Sequence, residues 1–136
     1  MKKHLLLTSL FCLILCSCKH NNQVIPYMRV NFTLNTTSTD LIHIGGYEYV
    51  TGGVSGIFIY RSDVLTFHAY DRACPYDWEN GGRVEVDSTN NFILIDYNCG
   101  SKFNILDGYP LSGKAEEPLQ AYNAQLIDDI YLRVYN

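Results

Sequence analysis

From residue 28 onward apolar positions recur every second residue, as Met28, Val30, Phe32 and Leu34 alternate with Arg29, Asn31 and Thr33. This is the pattern of a strand with one face in water. Further β-rich runs follow at Tyr47 to Val50, Ile57 to Tyr60, Val64 to Tyr70, Arg83 to Asp87, Phe92 to Tyr97, Leu119 to Gln125 and Ile130 to Tyr135. No stretch keeps helical spacing for three turns, and β-branched and aromatic residues dominate the runs. Gly45-Gly46, Thr51-Gly52-Gly53, Asn80-Gly81-Gly82, Ser88 to Asn91 and Asp107-Gly108 fall between the runs as turns. The expectation is an all-β antiparallel sandwich or barrel of about eight to ten short strands. A brief helical turn is expected near Ser38 to Ile42, with Ser38 or Thr39 as its N-cap.

The beginning of the chain follows a different pattern. Met1-Lys2-Lys3-His4 is a basic stub, and the apolar Leu5 to Leu15 that follows is too short to span a bilayer as a stable helix. This reads as a signal peptide. Its end, Leu15-Cys16-Ser17-Cys18, resembles the bacterial lipobox, in which a small residue precedes the cysteine that is lipidated and becomes the mature N-terminus. The resemblance implies a signal peptide over 1–17, a lipidated Cys18 with a polar tether over 18–26, and one β domain over 27–136. Lys19 and His20 after the cysteine, in place of an aspartate, imply an outer-membrane address facing the periplasm.

Composition narrows the partners. The chain has 136 residues, 47% apolar and 18% charged, enough for one ordinary domain. Ten basic side chains face 14 acidic ones with no basic run, which argues against a nucleic-acid partner. Loss of residues 1–17 removes Lys2 and Lys3 and leaves 8 basic against 14 acidic groups. Anionic lipid repels such a chain, so attachment to membrane lipid falls to acyl chains on Cys18, at about 0.8 kcal/mol per buried methylene. The remaining partner expected is an envelope protein.

Of five cysteines, Cys12 and Cys16 leave with the signal and Cys18 is acylated, so Cys74 and Cys99 remain. In an oxidising envelope two thiols invite a disulfide. Its 26-residue loop would contribute roughly 3 to 4 kcal/mol in the chain-entropy account. A working dithiol is the alternative, for which Arg72, two residues from Cys74, is the only sequence hint.

The surroundings of both cysteines carry a more specific resemblance. Phe67-His68-Ala69-Tyr70-Asp71-Arg72-Ala73-Cys74-Pro75-Tyr76 resembles the first cluster-binding loop of a Rieske iron–sulfur domain, where a strand ends in Cys-x-His. Cys99-Gly100-Ser101-Lys102-Phe103-Asn104 resembles the second loop, Cys-x-x-His followed by Gly-Ser-x-Phe-Asp. Asp107 to Ala115 and Pro118-Leu119-Gln120-Ala121-Tyr122 continue the likeness, which covers roughly residues 54 to 136. Tyr76 holds the first histidine position. At the second, either Lys102 replaces the histidine or a deletion removes it, and the deletion keeps Gly100, Ser101 and Phe103 in register.

The resemblance implies a Rieske-like fold and, in the family, a [2Fe–2S] centre held by two thiolates and two imidazoles. Here only the thiolates are present. A tyrosine is normally protonated near neutral pH and a lysine is a cation, so neither Tyr76 nor Lys102 suits iron. His4 is cleaved, His20 lies in the tether, His43 is far upstream, and His68 precedes Cys74 by a stretch of about 20 Å if the strand is straight. The expectation is therefore a degenerate member with no cofactor, an accessory or binding module of the envelope with no catalytic residue. Cys74 and Cys99 would be metal ligands only if a cluster is bound. The likeness implies sulfurs close enough to couple as Cys74–Cys99, with Tyr76, Trp78 and Phe103 packed over the apolar floor between the loops. The alternative is a Rieske-type electron-transfer protein whose [2Fe–2S] cluster has unusual ligands. Glu116-Glu117 and Asp128-Asp129 read as solvated surface, and Asp107-Gly108 as a turn.

Overall fold

The computed structural model describes residues 24–136. The expected signal peptide, the lipidated Cys18 and most of the tether lie outside the described residues. Ten strands form: β1 (Asn31–Asn35), β2 (Tyr47–Val50), β3 (Ile57–Arg61), β4 (Phe67–Asp71), β5 (Val84–Asp87), β6 (Asn90–Asp96), β7 (Lys102–Asn104), β8 (Pro110–Ser112), β9 (Ala121–Ile127) and β10 (Tyr131–Tyr135). They pair antiparallel in a six-stranded sheet ordered β1-β10-β9-β4-β3-β2 and a four-stranded sheet ordered β5-β6-β7-β8. The expected all-β antiparallel architecture is the one observed. No described helix is long and apolar enough to cross a membrane.

The period-two patterning explains which face each strand buries. Strand β1 sets Phe32 opposite Val134 and Leu34 opposite Leu132, so its apolar positions face one core while Asn31 and Thr33 stay exposed. Strand β3 is buried along Ile57 to Tyr60, because it is covered on both faces. Ile57 and Ile59 join a core with Val30, Leu41, Phe67, Ala69, Tyr122, Leu132 and Val134. Phe58 and Tyr60 turn the other way, toward Val84, Leu94, Phe103, Ile105 and Cys74. This second core lies between the sheets and carries the first cysteine.

Differences from the sequence pattern have local causes. Strand β4 begins at Phe67 because Ser62 donates its N–H to Thr66 O (3.0 Å), closing a turn that leaves Val64 and Leu65 exposed. The expected helical turn divides into two short 3-10 turns, Thr36–Ser38 and Asp40–Ile42. The first is capped by Asn35, whose side chain accepts from Thr37 N at 2.8 Å; Thr39 precedes the second with no side-chain cap. Asp128 and Asp129 both adopt positive φ, 50° and 63°, in the two-residue hairpin between β9 and β10, so this acidic pair is a turn and not an acid/base couple. Residues 24–26, assigned to the tether, include Val24 and Ile25, which line a cleft with Pro75 and Pro118.

Candidate metal centre

Both cysteines sit on loops folded by their own backbone. In the loop from β4 to β5, Cys74 donates its N–H to Gly82 O (3.1 Å), while Cys74 O accepts from Asp77 N (3.2 Å) and Trp78 N (3.0 Å). The 3-10 turn Trp78–Asn80 that follows ends at Gly81, whose φ of 83° reverses the chain at a conformation costly to other residues. This places Asp77 beside Cys74. In the loop from β6 to β7, Gly100 donates to Asp96 O (2.8 Å) at φ 78°, and Asp96 N donates to Ser101 O (2.9 Å). Cys99 is thereby brought opposite Cys74.

The two sulfurs lie 3.6 Å apart as free thiols. That separation exceeds the roughly 2.05 Å of a disulfide, so the expected Cys74–Cys99 bond is not formed in this structure. Two carboxylates complete the group: one donor atom from each of Cys74, Asp77, Asp96 and Cys99 lies within 4.8 Å of every other. Cys74, Asp77 and Asp96 are buried, with 0%, 6% and 1% exposure, and Cys99 is half-buried. Cys99 Sγ is 3.5 Å from Asp96 Oδ2 and 3.0 Å from Ser101 Oγ.

Electrostatics at the site follow from burial and the crowding of acidic groups. Burial pushes the Cys74 thiol up, and the nearby carboxyls of Asp96 and Asp77 push the same way by favouring its neutral form, against a lowering by the Tyr76 backbone. Burial likewise raises Asp77, with Asp96 adding to the effect. Asp96 is lowered, because the Asn98 N–H and the polar side chains of Cys74, Asp77 and Cys99 gathered around it outweigh its burial. Buried acidic groups of this density are stable as neutral acids or around a cation.

Residues named from the sequence have varied fates. Tyr76 is half-buried against the inter-sheet core, with Lys114 Nζ 5.5 Å from its ring centroid. Lys102 Nζ binds Asp87 Oδ2 at 3.1 Å. Neither joins the donor group. Phe103 is fully buried, as expected for packing; Trp78 is half-buried, its Nε1 enclosed without a partner. Arg72 turns from the thiols: its guanidinium stacks 4.0 Å from the Tyr49 ring centroid and donates from Nε to Val84 O (2.9 Å). His68 Nε2 pairs with Ser62 Oγ at 2.8 Å, on a strand position outside the donor group. Asp77 and Asp96 were missed. The signal existed, since Cys74-Pro75-Tyr76-Asp77 and Asp96-Tyr97-Asn98-Cys99 each place a carboxylate three residues from a cysteine.

No family model matches the sequence, and comparison with curated proteins finds no match. Solved structures do resemble it. A chain of the complex of reduced oxygenase and oxidized ferredoxin in carbazole 1,9a-dioxygenase aligns at TM-score 0.53 and 17% identity, covering 76% of this chain and 92% of that one. The ferredoxin of carbazole 1,9a-dioxygenase from Nocardioides aromaticivorans aligns at TM-score 0.51 and 13% identity, covering 81% and 100%. A putative NADH-dependent nitrite reductase small subunit from Mycobacterium tuberculosis aligns at TM-score 0.51 and 18% identity, covering 81% and 97%. The fold is Rieske-like.

These findings correct the expectation that no cofactor is bound. That expectation rested on absent histidines at positions 76 and 102, but the Rieske-like loops bring two further potential ligands, Asp77 and Asp96, to the two cysteines. Cys74 and Cys99 fit the thiolate pair of a Rieske centre, whereas the imidazole pair has no counterpart among the described residues near them. Carboxylate oxygens from Asp77 and Asp96 stand beside the sulfurs, and both ligand types hold first-row transition metals.

Proposed function

We propose that this chain is an electron-transfer protein of Rieske-like fold, with a redox metal centre held between its two loops by Cys74 and Cys99 together with Asp77 and Asp96. The observation that carries this reading is the convergence of two thiols and two carboxylates between the loops, with Cys74, Asp77 and Asp96 buried and Cys99 half-buried. A bound iron centre would supply a one-electron couple. The chain's own part is to hold the donors, exclude water from Cys74, and leave Cys99 half-exposed as the side nearest a partner. That partner is an oxidoreductase protein, a reading supported by the likeness to a chain from a complex of an oxygenase with its ferredoxin. The anchoring of the chain through an acylated Cys18, with residues 27–136 as the domain displayed at the cell envelope, belongs to the same proposal.

Anaerobic isolation of the full-length chain tests it. Bound iron, visible thiolate-to-iron absorption and a reversible potential in voltammetry are expected. A colourless chain that stays free of iron and shows no reversible couple after anaerobic reconstitution with ferrous iron and sulfide would refute it.

A further inference from the structure

The space between the loops is shaped in more detail than the donor group alone requires. Asn98 holds both carboxylates at once: its side-chain amide donates to Asp77 Oδ2 (2.7 Å) and its backbone N–H donates to Asp96 Oδ1 (2.8 Å). Each aspartate therefore has one oxygen fixed by Asn98 and one left over. The pair not held by Asn98, Asp77 Oδ1 and Asp96 Oδ2, converge over Gly82, where a Cβ would overlap Asp77 Oδ1 and lie 2.8 Å from Asp96 Oδ2, the oxygen that accepts from Cys99 Sγ. Asp77 Oδ1 is buried and has no hydrogen-bond partner, at a residue only 6% exposed. A buried carboxylate oxygen left unpaired forfeits its hydration with nothing in return unless something binds it. Asp96 Oδ2 faces Cys99 Sγ at 3.5 Å, and Cys99 Sγ faces Cys74 Sγ at 3.6 Å.

We propose that these four residues form a site for a single tetrahedral ferrous ion, with two thiolate and two carboxylate ligands, and not for a binuclear cluster. A tetrahedral ion with bonds of about 2.0 to 2.3 Å sets its ligands roughly 3.3 to 3.8 Å apart. The separations of 3.6 and 3.5 Å are of that size, and closing the longest, at most 4.8 Å, takes about an ångström of side-chain movement. A binuclear cluster instead divides its ligands between two irons with two sulfides between them, so one pair must stand apart from the other. Here no pair does. Asn98 is the positioning residue, fixing the outer oxygen of each carboxylate as hydrogen-bonded partners do for metal ligands generally. Gly82 keeps the space between the free oxygens open. Binding of M²⁺ by the two thiols forms two metal–sulfur bonds and releases two protons.

The inference rests on the reading of the loops as a metal-bearing electron-transfer site, and the experiment separates the two. Cobalt(II) is titrated into the reduced, metal-stripped full-length chain, and metal and acid-labile sulfide are measured on the chain as isolated anaerobically. Expected are one cobalt per chain with the intense visible bands of tetrahedral cobalt–thiolate, displacement by zinc, and no labile sulfide. Asp77→Asn and Asp96→Asn, which conserve shape, should each weaken cobalt binding at least about 10-fold, and Asn98→Ala about 10- to 100-fold, with circular dichroism unchanged. Two irons with two sulfides per chain would overturn the single-ion site while leaving electron transfer standing. One bound ion with no reversible potential would uphold the site and refute electron transfer. Failure to bind cobalt, or binding insensitive to both aspartates, would overturn the inference.

Discussion

Asp71 offers the sharpest test of how the frame around the site is held. Its carboxylate is fully buried at the end of β4 and accepts four hydrogen bonds without a cation. Oδ2 takes Val54 N (2.6 Å) and Tyr122 Oη (2.7 Å); Oδ1 takes Ser55 N (3.1 Å) and Ala73 N (2.9 Å). The loop before β3, the strand β9 and the approach to Cys74 are thus tied to one side chain. Asp71→Asn keeps the shape but turns one oxygen into a donor, so two donors lose their acceptor whichever way the amide lies. At roughly 1.5 to 3 kcal/mol for each bond to a charged acceptor, less some relief from rotation of the Tyr122 hydroxyl, the loss is about 3 to 5 kcal/mol. For a domain of this size that lowers Tm by about 12 to 20 °C. Thermal and urea unfolding measure it, with Tyr122→Phe, which removes one of the four donors and leaves Asp71 Oδ2 its bond from Val54 N, expected to cost less, about 1.5 to 2 kcal/mol. The double variant should cost less than the sum of the singles. A drop below about 4 °C for Asp71→Asn would show that the four donors have other acceptors and refute the reasoning.

Three further outcomes are expected. Asp87 is lowered to about 2 by the Thr89 hydroxyl and N–H and by Lys102, so its stabilisation is full above the ordinary carboxylate range near pH 4 and is lost as pH falls through 2. Asp87→Asn should flatten the pH dependence of the urea midpoint between pH 4 and 2, and parallel curves for the two proteins would contradict this. Ser101 is buried, and its Oγ accepts from Lys114 N (3.0 Å) and Ala115 N (2.9 Å), so Ser101→Ala should cost about 2 to 3 kcal/mol in urea unfolding by leaving both without an acceptor. In the metal-stripped chain, treatment with diamide should join Cys74 to Cys99, the two thiols giving up two protons and two electrons to the reagent. Peptide mapping should find that cross-link, and Tm should rise in step with a loop constraint of roughly 3 to 4 kcal/mol; an unchanged Tm would argue against the staple.

The framework was legible in the sequence where burial imposes a period. Phe32 and Leu34 on β1 announced one-sided burial, whereas Ile57 to Tyr60 on β3 read only as a β-rich run, and the structure shows that it is buried on both faces. The short strands β7 and β8 were not legible, because three residues are too few to display a period and only pairing defines them. Val64 and Leu65 read as strand yet are exposed, since β-propensity cannot register that Ser62 and Thr66 close a turn around them. At the site, the two cysteines were legible, but the family's nitrogen-ligand positions fall on Tyr76 and Lys102 and give no sign of Asp77, one residue beyond Tyr76. Which acids share a site depends on loops that cross 19 positions of chain between Asp77 and Asp96, and no local pattern encodes that meeting.

The two loops owe their shape mainly to backbone bonds: Cys74 N to Gly82 O, Asp77 N and Trp78 N to Cys74 O, Gly100 N to Asp96 O, and Asp96 N to Ser101 O. Such bonds do not depend on which side chain stands at the ligand positions, apart from glycine at the positive-φ corners Gly81 and Gly100. The cradle can therefore keep its form while its donors change, which is consistent with a shared fold at 13 to 18% identity. What must change together is narrower. In the proposed site each carboxylate ligand needs its second oxygen fixed and the space between the other two kept clear. Asn98 meets the first requirement through one backbone and one side-chain donor, and Gly82 meets the second by lacking a Cβ. The donor set, Asn98 and Gly82 thus form one physical unit, and a substitution at Asn98 or Gly82 should be felt at the metal before it is felt in the fold.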